Sequence, residues 1–129
     1  MPDFDTLAFF AGHETALPLY ERLEALLFMR FSGVEKRVRR TQISFACGCV
    51  FACVSFARVK RKAELPEGYV TLTLGLPAPL DSPRAAVQTE PYPGRWTCHL
   101  VLSRPEELDG ELLGWIGQAV DFAGRKKQR

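Results

Sequence analysis

The spacing of apolar residues divides the chain into helical and strand segments. Apolar residues recur every three or four positions in residues 15–30 and again in residues 103–124, and each run predicts an amphipathic helix. A shorter run in residues 5–12 predicts a further helix that ends at a glycine. Apolar and polar residues instead alternate in "YVTLTLGL" and in "RWTCHLVLS", as expected for strands with one buried face.

The segment between the early helices and "YVTLTLGL" predicts a β-hairpin. "EKRVRRTQISFA" alternates along its length and is interpreted as one strand, followed by a turn at Cys47-Gly48 and a strand in "CVFACVSFARVK". Strict alternation then places Val50 on the core face and Phe51 on the opposite face. The turn is expected to aim Cys47 and Cys49 apart.

This order of elements predicts the fold class. We expect an α+β fold, with a four-stranded antiparallel sheet and two N-terminal helices and one C-terminal helix packed on one face. Residues 77–94 contain five prolines and are predicted to form a long loop without regular structure. The expected organisation is a single domain over residues 1–124 and a disordered basic tail over residues 125–129.

Charge and cysteine content bear on the compartment and the partners. The net charge is only +2, but residues 30–62 hold nine Lys or Arg residues against one acid, which gives +8. The N-terminal residues lack the basic start of a secretory signal, and the 17-residue uncharged run at 41–57 is short for a membrane span of about 20 residues. We therefore expect a cytoplasmic protein that has no membrane partner.

The three cysteines in "SFACGCVFACVSF" lack the spacing of a metal site. Zinc sites typically use C-x-x-C pairs, whereas Cys49 and Cys53 would lie about 13 Å apart on one strand. Cysteine also packs as a small apolar residue, so we predict structural cysteines, no metal and no cofactor. The chain also lacks the P-loop, dinucleotide-binding, zinc-protease and nucleophile-elbow motifs.

The sheet face opposite the helices is the predicted binding site, together with the proline-rich loop. The interpretation favoured is a non-catalytic accessory module that binds a small molecule or a protein partner, and the same face could form a homodimer. An enzyme centred on His99 is an alternative, because that histidine is the one plausible general base. The candidate ligand-binding residues are Arg40, Gln42, Arg84, Tyr92, Arg95 and His99.

A nucleic-acid-associated factor is the other alternative, because the basic hairpin could contact phosphates while Phe51, Tyr69 or Trp96 stack on bases. The pI of 8.4 is below the value of about 9 that is typical of a clear nucleic-acid footprint. Charged residues could also simply protect a sheet edge. The candidate phosphate-binding residues are Arg37, Arg39, Arg58, Lys60 and Arg61.

Several segments together resemble a known family. "AGHETALPLYERLEALL", "RVRRTQISFA", "LGLPAPLDSPR" and "EPYPGRWTCHLVLSRPEELDGELLGWIGQAVDFA" are similar to the bacterial domain of unknown function catalogued as 5655, a relative of the YdhG-like domains. The likeness covers about residues 8–123 and implies a small α+β domain with no established activity. Members often have paired histidines where this chain has Cys98-His99, which puts any shared site there in doubt.

Overall fold

The structure, a computed structural model, describes residues 3–127. Its helices are α1 (Phe4–Phe9), α2 (Leu17–Arg30) and α3 (Gly110–Lys127). Its strands are β1 (Glu35–Val38), β2 (Ile43–Cys47), β3 (Cys49–Ser55), β4 (Val70–Leu76), β5 (Ala85–Tyr92) and β6 (Arg95–Leu102).

All six strands form one antiparallel sheet in the order β1-β2-β3-β4-β6-β5. One face of this sheet is packed against the helices. From α2, the Tyr20 ring lies over Phe45 of β2, with ring centroids 6.5 Å apart. From α3, Leu112 and Ile116 are fully buried in the same core. The predicted α+β class, the three helices and the antiparallel sheet are therefore confirmed.

The predicted number of strands is wrong, because the sheet has six strands and not four. The segment interpreted as one strand is a hairpin, in which the Arg39 N–H donates to the Gln42 carbonyl at 2.8 Å and β1 turns back onto β2. This turn contains neither glycine nor proline, so the sequence carries none of the usual turn signals.

The other unpredicted strand is β5, which lies within residues 77–94, where a loop was predicted. β5 pairs with β6 alone and therefore forms the edge of the sheet. A proline such as Pro91 is tolerated on an edge strand, because one side of that strand has no neighbour that needs an N–H donor.

A β-bulge changes which side chains of β3 face the core. Phe45 pairs with Ala52 and Ala46 pairs with Val50, so Phe51 is an extra residue between the two pairs. Phe51 is 1% exposed, and its ring packs against Phe31, 6.4 Å away between centroids. The predicted placement of Phe51 on the open face is wrong, and Val50, predicted to be buried, is 44% exposed.

The tip of the β2–β3 hairpin also differs from the prediction. Gly48 alone forms the turn, with a φ of +84° that suits glycine, and Cys47 pairs directly with Cys49. Residues directly opposed on antiparallel strands point to the same side of the sheet, so the two cysteines are not aimed apart.

The C-terminal helix is shifted relative to the prediction. It begins at Gly110 after a short 3-10 turn at Pro105–Glu107, and it continues past Gly124 to Lys127. Residues 128 and 129 of the expected tail lie outside the described residues. In the part of the chain that is described, no helix has the length and apolar character needed to cross a membrane.

Candidate functional site

The face of the sheet that points away from the helices is the candidate site, and we call it the uncovered face. A row of directly paired residues crosses it from β1 to β6. The members of this row are Arg37, Ser44, Cys53, Thr73 and His99. Hydrogen bonds connect parts of the row: the Thr73 hydroxyl and Nδ1 of His99 share one of 2.8 Å, and the Ser44 hydroxyl lies 3.7 Å from Sγ of Cys53. The row is polar along its length.

The segment that follows β3 covers one end of the uncovered face. The Thr71 hydroxyl donates to the Ala57 carbonyl at 2.8 Å, and the Tyr69 hydroxyl donates to the Phe56 carbonyl at 2.7 Å. Thr71 is fully buried as a result. The segment continues toward β5, where it borders an open depression of about 790 Å³. The depression is lined by Arg58, Val59, Lys60, Arg61, Glu64 and Ala86.

The other end of the face is dominated by Arg95. Its guanidinium lies over Gly75 of β4, where a Cβ atom would come within 3.2 Å of Nη2. Glycine in the interior of a strand gives up side-chain packing and leaves space for a close approach. Gly75 therefore makes room for the guanidinium on the sheet surface, beside Thr97, its partner on β6.

The imidazole of His99 is half-buried in the middle of this face. Burial lowers the pKa of His99 below its ordinary value of 6.5, because the charged ring loses hydration. The ring is therefore neutral at pH 7. Among the described residues, the imidazole shares a hydrogen bond with the Thr73 hydroxyl and forms no ion pair with a carboxylate.

This lowered pKa makes the stability depend on pH. The unfolded chain takes up a proton at His99 more readily than the folded chain, so protonation favours unfolding. We expect the His99 contribution to be fully present above pH 6.5 and to be lost as the pH falls toward the lower folded pKa. Urea unfolding of the wild type and His99→Gln between pH 7.5 and 5 measures it. A wild-type loss of stability that the variant reproduces in full would contradict the assignment to His99.

The thiols offer no activated nucleophile on this face. Burial raises the pKa of Cys53, which outweighs the opposite effect of its hydrogen bond with Ser44, so this thiol is protonated at neutral pH. Burial likewise raises the pKa of Cys98, which faces the helices. Across residues 3–127, no cluster of three His, Cys, Asp or Glu side chains could hold a metal ion.

The structure brings only some of the predicted ligand-binding residues together. Tyr92 pairs with Arg95 across the β5–β6 hairpin, and the guanidinium lies 5.9 Å from the Tyr92 ring centroid. His99 lies farther along the same strand, and Nε2 of Gln42 donates to the Ser44 hydroxyl at the start of the polar row. These four residues lie on or beside the uncovered face.

Arg40 and Arg84 lie away from Arg95 and His99. Arg40 lines an open cavity of about 580 Å³ at the β1–β2 turn together with Gln42, beside His13 and Phe56. The Arg84 guanidinium donates to the Asp109 carboxylate at 3.0 and 3.1 Å and to Glu111 at 3.0 Å, at the beginning of α3. These carboxylates raise the pKa of Arg84 despite its desolvation, which lowers it, and the side chain holds β5 to α3.

The predicted phosphate-binding residues are placed around the same face. Arg37 lies in the polar row, and Arg39 lies at the β1–β2 turn. The segment that follows β3 and covers one end of the face contains Arg58, Lys60 and Arg61. The predicted stacking residues are less available, because Phe51 is in the core and the Tyr69 hydroxyl is bonded to backbone.

Strand alternation placed Thr73 and Thr97 on this face, but sequence reasoning named neither them nor Gly75 as ligand-binding residues. A signal for Gly75 was present, because it interrupts the alternating strand "YVTLTLGL". The two threonines carried no such signal, because threonine is common on the exposed side of any strand.

The comparisons with known proteins identify a family. No curated protein and no solved structure matches the chain. Residues 7–123 match the family described as Domain of unknown function (DUF5655). Since that match spans most of the 129 residues, the chain belongs to the DUF5655 family.

Proposed function

We propose that this chain is a non-catalytic binding module that holds a small anion, such as a phosphate or carboxylate group, on the uncovered face. The observation that carries the proposal is the position of Arg95. Its guanidinium lies over Gly75, on the sheet surface, beside Thr73 and Thr97, and His99 follows two residues after Thr97 on the same face of β6.

The electrostatic surroundings of Arg95 support an anionic ligand. The ion pairs of the described residues involve Lys36, Arg37 and Arg84 as the cations, and Arg95 takes part in none of them. Its guanidinium instead lies over the Tyr92 ring. A guanidinium presents five N–H donors in a planar fork that matches a phosphate or a carboxylate. Arg95 therefore keeps donors available for such a group.

The same surroundings argue against catalysis. The pKa of His99 is lowered and that of Cys53 is raised, so neither side chain is charged at neutral pH. Among the described residues, no carboxylate orients the imidazole as it would in a catalytic triad. The polar row can therefore donate and accept hydrogen bonds to a ligand, but it lacks an activated nucleophile.

Binding of single-stranded nucleic acid is a second candidate, which one observation favours. Arg37 faces the same side as His99, and the segment with Arg58 and Lys60 borders the covered end, so cations flank Arg95 on two sides. A phosphate chain could follow them. We prefer the small anion, because a stacking surface of aromatic rings usually accompanies single-strand binding, and Trp96 pairs with Leu76 on the helix-covered side.

A phosphate titration followed by amide NMR tests the proposal. We expect saturable shifts of the Gly75, Thr97 and His99 amides in the wild type. Arg95→Gln is expected to weaken binding by about tenfold, equivalent to about 1.4 kcal/mol, because the charged donor is lost. Gly75→Val retains the charge but occupies the space of the guanidinium, and we expect a similar loss.

The controls separate the two candidates. Arg22→Gln removes an exposed arginine on α2 and should leave phosphate affinity unchanged. Unchanged affinity in Arg95→Gln, or the absence of saturable shifts at these amides, would refute the anion site. Titration with a labelled oligothymidylate at two salt concentrations then tests the second candidate. Steeply salt-dependent binding that Arg37→Gln and Lys60→Gln weaken more than Arg95→Gln would establish it instead.

We also propose a cytoplasmic location and a relationship to the bacterial YdhG-like domains. The location is supported by four free cysteines, since thiols persist where glutathione keeps them reduced. The relationship rests on the resemblance of the sequence segments alone.

A further inference from the structure

The tip of the β2–β3 hairpin places two cysteines directly opposite each other. Cys47 and Cys49 are direct pairing partners, and Gly48 closes the turn between them with a φ of +84°. Both cysteines are free and partly exposed. The tip lies outside the polar row and has no part in the proposed anion site.

The backbone spacing of the two cysteines is compatible with a disulfide. Directly opposed residues on antiparallel strands have Cα atoms about 4.5–5.5 Å apart. A disulfide requires Cα atoms about 4.4–6.8 Å apart. Cys53 is excluded as a partner, because it is paired with Ser44 and lies four residues, about 13 Å, along the strand from Cys49.

We propose that Cys47 and Cys49 form a reversible dithiol–disulfide site that exchanges with low-molecular-weight disulfides, with glutathione disulfide as the representative substrate class. The site is independent of the proposed anion-binding function. A disulfide in so short a loop at an exposed turn belongs to the readily reduced class and not to the structural class.

The surroundings assign different roles to the two thiols. Sγ of Cys47 lies 3.6 Å from the Ser32 carbonyl, to which its S–H donates. Burial also raises the pKa of Cys47, so this thiol is protonated at neutral pH. Because the Ser32 carbonyl also holds the Cys47 S–H, we assign the first attack to Cys49 and the resolving step to Cys47.

The exchange balances in two steps. The Cys49 thiolate attacks one sulfur of glutathione disulfide, which forms a mixed disulfide and releases one glutathione thiolate. The Cys47 thiolate then attacks Sγ of Cys49, which closes the intramolecular disulfide and releases the second glutathione thiolate. The protein dithiol loses two electrons and two protons, and glutathione disulfide is reduced to two glutathione molecules.

Mass spectrometry of the full chain with Cys53→Ser tests the site. The protein is equilibrated with graded ratios of reduced and oxidised glutathione, quenched by alkylation and cleaved with trypsin after Arg40 and Arg58. The fragment of residues 41–58 then contains only Cys47 and Cys49. We expect it to lose two hydrogens and all alkylation as the oxidised fraction rises, and to recover both thiols in dithiothreitol.

Cys49→Ser, with Cys53 retained, is the matched control. Its fragment also contains two cysteines, but they are too far apart in the folded protein to close a disulfide. The proposal is overturned if the Cys53→Ser fragment remains reduced, or if it carries only glutathione adducts. It is equally overturned if the Cys49→Ser fragment closes at the same glutathione ratio, because closure would then not depend on the hairpin tip.

Discussion

Replacing Phe51 with alanine is expected to lower the free energy of unfolding by about 3–5 kcal/mol, the usual cost of removing a buried phenylalanine. The ring is 1% exposed and packs edge-to-face against Phe31. Phe31 in turn lies against Gly117, where an added Cβ would be 3.8 Å from its ring. Phe51 therefore joins β3, the end of α2 and α3, and its loss leaves a cavity among all three.

Val50→Ala on the same strand is the matched comparison. Val50 is 44% exposed, so we expect its truncation to cost less than about 1 kcal/mol. Strict alternation without the bulge requires the reverse order, with a large loss at Val50 and a small one at Phe51. Urea unfolding of the two variants measures both values. Equal losses, or a larger loss for Val50→Ala, would show that the bulge is misplaced.

The alternating pattern predicted the buried side chains correctly in strands that are regular. In β4 and β6, the predicted inward residues Leu72, Leu74 and Leu100 are buried, because each of these strands keeps a constant register with its neighbour. In β3 the bulge adds one residue, so Val50 and Phe51 exchange the faces predicted for them. Ala52 and Val54, beyond the bulge, are buried as predicted. No residue in "CVFACVSF" indicates the bulge, since all of them are apolar or small and could lie on either face of the sheet.

The site could be predicted only in part, for a related reason. His99 and Gln42 follow from strand alternation and were placed on the correct side of the sheet. The position of a long arginine side chain depends on partners that are distant in the sequence. Arg84 is held by Asp109 and Glu111, more than twenty residues away, and no local pattern indicates this pairing.

The positive charge of residues 30–62 also depends on how the chain folds. Lys36 and Arg37 are adjacent in the sequence and were counted together in the +8 charge of residues 30–62. Successive residues of a strand point to opposite faces, so Lys36 lies on the helix side and Arg37 on the uncovered face. The net charge of a segment therefore overstates the positive charge that any one face presents to a ligand.

Lys36→Met is the second substitution for which we expect a large loss, about 2–3 kcal/mol of unfolding free energy, which is below the cost for a fully buried ion pair because both side chains keep some exposure. The Lys36 ammonium contacts the Glu24 carboxylate and the Thr6 hydroxyl, and its side chain is only 14% exposed. Removing one partner of a mostly buried ion pair leaves the other charge without compensation. Of its partners among residues 3–127, the Glu24 carboxylate would then keep the hydroxyl of Tyr20, which donates to it at 3.0 Å. Chemical denaturation of the purified variant measures the loss.

A double-mutant cycle and a neighbouring control identify the source of that loss. Glu24→Gln in the Lys36→Met background should destabilise the protein by less than Glu24→Gln alone, because the uncompensated charge is gone. Arg37→Met removes the exposed ion pair with Glu35, in which the side chains are 57% and 68% exposed. We expect it to cost less than about 1 kcal/mol, because solvent screens such pairs. Similar losses for Lys36→Met and Arg37→Met would mean that the ion pair with Glu24 does not join β1 to α2.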